Sequence, residues 1–116
     1  MVRVLHCDDS LAYRALIRAE LEDDAEIEIV AEAADVDGAV SLAGETRPDV
    51  VLLDLLDAER DAVAELASVA PGVRVVVLSG HPREYGETRR GGAAAYVEKD
   101  APIAELRETV LRVAAG

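Results

Sequence analysis

Tryptophan and phenylalanine are absent from this chain, and three tyrosines are all that remain of the aromatic residues. Its core must therefore be aliphatic, and a hydrophobic fraction of 51% is enough to build one. A single cysteine excludes an internal disulfide and points to a reducing compartment. No apolar run is long enough to cross a bilayer. The N-terminal apolar run is too short for a signal peptide and leads at once into acids. The expectation is a cytoplasmic chain with no membrane partner. Positive charge is also scarce: twelve basic residues stand against twenty-four acidic ones, for a net charge of −12. Such a surface is repelled by phosphate backbones and anionic lipid, which argues against direct nucleic-acid binding. It attracts divalent cations and basic partners. Lysine occurs only once, at Lys99, in a chain otherwise served by arginine, which asks why an ammonium stands there.

What is present, in 116 residues and hence one domain, is an alternation of two periods. The runs at 2–6, 50–53 and 73–78 are short, apolar and β-branched, as buried parallel strands are. The run 27–31 alternates with glutamate and suits a sheet edge. "AAAYV" at 93–97 is a weaker fifth strand. Helical patterns lie between. Ser10 is placed to cap a helix over roughly 11–22. Val36, Ala39, Val40 and Ala43 share one helical face, as do Val63, Leu66, Ala67 and Ala70. Ile103, Leu106, Val110 and Val113 mark a final helix, with Pro102 tolerated in its first turn. Alternation asks for one more helix within 82–92, although that stretch has little apolar periodicity and carries Gly86. Five βα units in this length imply an α/β, flavodoxin-like, doubly wound parallel sheet of order 2-1-3-4-5, with helices on both faces.

Ligands of open parallel sheets bind beyond the carboxyl ends of the strands. Strand one runs into Asp8 and Asp9, strand three ends at Asp54, strand four at Ser79, and Lys99 follows strand five. Three carboxylates, a hydroxyl and an ammonium thus share one rim. Clustered carboxylates need a counter-charge. Mg²⁺ takes hard oxygen ligands and leaves part of its shell to waters and substrate oxygens. With Lys99 as a point charge and Ser79 as a donor, the set can stabilise a phosphoryl group arriving in line on one carboxylate. Taken singly, these residues have plainer readings. Asp8 and Asp9 could be solvated helix-start acids, Ser79 a turn residue and Lys99 a surface lysine. Asp54 resists that reading because it interrupts an apolar run. Cys7 reads as a small buried apolar residue, His6 as facing the core, and His81 as a loop histidine.

The motifs "VRVLHCDDS", "RPDVVLLDLL", "VRVVVLSG" and "GGAAAYVEKDAP" together resemble the receiver domain of bacterial two-component response regulators, over nearly the whole of 1–116. The Lys-Asp pair at 99–100 resembles the NarL/FixJ (LuxR-type) transcriptional regulators most. The resemblance implies a CheY-like fold and a phosphoacceptor at Asp54, supplied by a sensor histidine kinase. It implies Mg²⁺ held by Asp8, Asp9, Asp54 and the backbone carbonyl of Leu56. Ser79 and Lys99 would contact the phosphoryl group, and Tyr96 would move with Ser79 as a switch. It further implies changed protein contacts as the output, a homodimer among them, and transcriptional control through an output domain beyond "LRVAAG". The third-helix segment "LLDAERDAVAEL" is shorter than the family's usual one by about three residues, nearly a helical turn. The fourth-helix region is shortened as well.

Two other readings compete. An atypical receiver would act by dimerisation or ligand binding without phosphate. A phosphohydrolase of the haloacid dehalogenase type also combines Asp, Ser or Thr, Lys and Mg²⁺, but it carries an Asp-x-Asp nucleophile motif on its first strand and its acidic pair late in the chain. The adjacent pair here comes first, which favours a signalling domain over an enzyme.

Overall fold

The computed structural model describes residues 1–54, 61–80 and 92–116. Its elements are β1 (Val2–Cys7), α1 (Leu11–Leu21), β2 (Ile27–Ala33), α2 (Val36–Thr46), β3 (Val50–Asp54), α3 (Ala62–Val69), β4 (Arg74–Ser79), β5 (Ala95–Glu98) and α4 (Ile103–Ala115). The strands form one parallel sheet in the order β2-β1-β3-β4-β5. Chain order reverses beside β1, which opens a crevice at the carboxyl ends of β1 and β3.

The aliphatic core divides into two layers by strand alternation. Val4, Val50, Leu52, Val76 and Leu78 face α1 and α4, where Ile17, Leu21, Leu106, Val110 and Val113 close over them. Leu5, Cys7, Val51, Leu53, Val75 and Val77 face the other way, onto Ala39 and Ala43 of α2 and Leu66 of α3. The central strands are buried on both sides, which is why they read as unbroken apolar runs. Each fully buried Val or Leu is worth about 1.5–3 kcal/mol of removal from water.

Local signals set the helix ends. Ser10 Oγ accepts the Tyr13 N–H at 3.1 Å, and Asp35 Oδ1 accepts that of Gly38 at 2.7 Å. Both satisfy amides that a helix start leaves open. α2 ends at Arg47, whose φ of 48° is the left-handed conformation that closes helices. At the sheet edge, β2 carries its glutamates as expected, and Glu32 pairs with Arg14 and Arg18 of α1. One expectation needs correction. Ala67 lies exposed, so the buried seam of α3 runs through Leu66 with Val63 and Val69 beside it. The helix expected within 82–92 falls almost wholly outside the described residues.

Candidate functional site

The strand register builds the site. Cys7 pairs with Leu53, so Asp8, one residue on, lies beside Asp54. Ser79 pairs with Glu98, so Lys99 lies one step past the tip of β4, and its N–H donates to the Ser79 carbonyl at 2.9 Å. Residues far apart in sequence thus reach one rim, because the register of the parallel strands brings their carboxyl ends together.

Asp8 is fully buried. Its Oδ1 accepts the Ser10 N–H at 2.8 Å, which closes the turn into α1. Its Oδ2 lies 2.7 Å from Lys99 Nζ, and the same ammonium lies 3.1 Å from Asp54 Oδ2. Asp9 is exposed, yet one carboxylate oxygen from each of Asp8, Asp9 and Asp54 lies within 4.8 Å of the other two. Burial pushes the Asp54 pKa above the usual carboxylate range. The hydrogen bond from Lys99 opposes that push, and the charges of Asp8 and Asp9 add to it. Burial pulls the Lys99 pKa down, but its hydrogen bonds and ion pairs with Asp8 and Asp54 outweigh burial and leave it raised. The ammonium therefore stays charged and neutralises part of a cup that burial alone would make costly.

Behind the cup, Lys99 Nζ sits 4.8 Å from the centroid of the Tyr13 ring. That ring meets His6 edge-on, with centroids 5.7 Å apart and planes at 70°. His6 is buried, as its sequence position suggests, and burial lowers its pKa to about 4. Cys7 is likewise buried, and its thiol is pushed up to about 12, chiefly by burial. A thiol held protonated in this way is a poor nucleophile. Ser79 is buried at the tip of β4, and Tyr96 is half-buried on β5 against the α2–α3 layer. The Leu56 carbonyl and His81 lie outside the described residues. Sequence reasoning missed two features: the pairing of Lys99 with Asp8 as well as Asp54, and the Tyr13 face beneath the ammonium. A tyrosine in the first turn after an acidic strand end was the only signal for the second.

Three hard-oxygen donors at this spacing can hold a divalent cation. The chain as a whole is also similar to known proteins. The response regulator receiver domain model matches residues 4–111. The chain belongs to the response regulator receiver family. The receiver domain of the putative response regulator NarL from Mycobacterium tuberculosis superposes with a TM-score of 0.89 at 30% identity, covering 99% of this chain and 97% of that one. The transcriptional regulatory protein DegU of Brevibacillus brevis is 32% identical over 99% of this chain. A protein-glutamate methylesterase/protein-glutamine glutaminase of Anaeromyxobacter dehalogenans is 33% identical over 92% of it. This receiver spans 51% of the DegU protein and 33% of the methylesterase, so its relatives join receivers to outputs of different kinds.

Proposed function

We propose that this receiver takes a phosphoryl group on Asp54 from a phosphohistidine of a sensor histidine kinase, and passes the signal on as changed protein contacts. Its NarL- and DegU-like relatives favour transcriptional control by an output domain outside this chain. The carrying observation is the cup itself: Asp8, Asp9, Asp54 and Lys99 gathered from separate strand ends.

In the step, an Asp54 oxygen attacks phosphorus. A P–O bond forms, the P–N bond to the donor imidazole breaks, and the imidazole leaves with the bonding pair and takes a proton from solvent. Burial makes the Asp54 carboxylate more basic and so a better nucleophile, while Lys99 keeps its charge partly neutralised. Asp8, Asp9 and Asp54, with the Leu56 carbonyl, would hold Mg²⁺, which supplies Lewis-acid neutralisation of the phosphoryl oxygens. Lys99 then moves from the carboxylates to a phosphoryl oxygen. The Ser79 hydroxyl donates to another, and Tyr96 on the neighbouring strand follows Ser79. The phosphorylated side chain carries a charge of about −1.5 to −2 where the free carboxylate carried a single one, and this change of charge and shape biases the domain between two arrangements.

The test is intact-mass measurement after incubation with Mg²⁺ and a small acyl phosphate. The expected result is the gain of one phosphoryl group, absent from Asp54→Asn and abolished by a chelator. A parent protein that gains nothing, or an Asp54→Asn variant that gains as much, overturns the reading.

A further inference from the structure

We propose that Tyr13 is a positioning residue for Lys99, a face on which the ammonium rests as it exchanges its carboxylate partners for a phosphoryl oxygen. The role in phosphoryl transfer rests on the function proposed above, whereas the contact stands independently of it.

Lys99 has a conflict to resolve. It is bound to Asp8 Oδ2 at 2.7 Å and to Asp54 Oδ2 at 3.1 Å, two carboxylates of the cation-binding cluster. A divalent cation on those oxygens repels the ammonium and competes for its partners. A flexible four-carbon side chain released from both would swing to solvent, since its side chain is already 25% exposed. Tyr13 offers the alternative. Its ring lies 4.8 Å from Nζ, and an aromatic face attracts a cation without being a ligand the metal can take. The ring is held in turn. Tyr13 sits in the first turn of α1, where its N–H is capped by Ser10, and its edge meets the buried His6 ring at 70°. An aromatic pair in that T-shaped arrangement holds its orientation. A leucine in the same place could fill the space but would present no such face.

The chain carries one lysine, so Lys99 alone gives a lysine side-chain signal in a protein made with ¹³C-labelled lysine. Ring current from Tyr13 shifts the Lys99 Hε protons upfield of those of a free lysine. The shift should persist in Tyr13→Phe and vanish in Tyr13→Leu. With a small acyl phosphate and saturating Mg²⁺, Tyr13→Leu should be phosphorylated about two- to fivefold more slowly, as loss of a cation–π contact predicts, while Tyr13→Phe keeps most of the rate. Mg²⁺ affinity, read from tyrosine fluorescence or calorimetry, should change little in either variant. A Lys99 signal at the free-lysine position in the parent overturns the contact. A normal signal with an unchanged rate in Tyr13→Leu overturns the positioning role, as does equal damage by phenylalanine and leucine. A parent that shows the upfield signal but accepts no phosphoryl group overturns the role in transfer and leaves the contact standing.

Discussion

At the scale of single residues, the one lysine explains itself. Its ammonium meets two carboxylates in different directions and an aromatic face behind, and a compact group with three rotatable donors suits that better than the planar guanidinium used elsewhere in the chain. The imidazole next to this assembly is a buried base held neutral. Burial is the main cause of the fall in the His6 pKa to about 4. The charges of Asp8 and Glu32 oppose it, and those of Lys99 and Arg14 assist it. Unfolded, His6 titrates near its ordinary 6.5. Between those values the unfolded chain binds the proton and the folded one refuses it, so stability falls as pH drops from 6.5 toward 4. The loss attributable to His6 approaches about 3 kcal/mol at the low end. Asp54 acts with the opposite sign, since its raised pKa lets the folded state bind a proton first. Urea unfolding of the parent against His6→Leu over that range isolates the histidine. On acidification the parent should lose about that much stability relative to His6→Leu, and parallel curves would refute the account.

At the scale of elements, the helix starts are separable from the site. Ser10 makes two different contacts: its hydroxyl caps α1 and its N–H binds Asp8. Ser10→Ala removes only the first, so it should cost about 1 kcal/mol in urea unfolding and leave the Mg²⁺ affinity unchanged. A large loss of Mg²⁺ binding would show that the cap also shapes the cup. The same elements show what a sequence carries. β1, β3 and β4 are legible because burial on both faces leaves an unbroken apolar run, and their tips then name Asp8, Asp54 and Ser79. β2 runs two residues beyond the alternating stretch, to Ala33, because backbone pairing with β1 continues where the side-chain pattern fades. Ala67 misleads because alanine satisfies an apolar period without needing burial. Tyr13 and the double pairing of Lys99 escape because they depend on the direction a long side chain takes across the crevice, which periodicity does not encode. The NarL-type resemblance was legible from motifs, whereas the Leu56 carbonyl as a cation ligand and the switching roles of Ser79 and Tyr96 rest on that resemblance.

At the scale of the molecule, a net charge of −12 concentrates its sharpest conflict where Asp8, Asp9 and Asp54 meet. Lys99 relieves that conflict from within and a divalent cation would relieve it from without, so the two should trade. A cation that binds only the folded state stabilises it by about 2.7 kcal/mol at a hundred times its dissociation constant. Sodium chloride at matched ionic strength screens the general repulsion, so the excess given by Mg²⁺ over that control reads the cup alone. Lys99→Ala leaves a fully buried Asp8 without its ion partner and should lower metal-free stability by about 1–3 kcal/mol, less than a wholly buried pair because the lysine is partly exposed. The same variant should gain more from Mg²⁺ than the parent does, because a competing positive charge is gone. Asp9→Asn should behave in the reverse way. Its side chain is exposed, so metal-free stability scarcely moves while the Mg²⁺ increment shrinks. Thermal or urea unfolding of the three proteins with and without Mg²⁺ measures all of this. Equal increments across the set would mean that cation and ammonium do not share the same carboxylates.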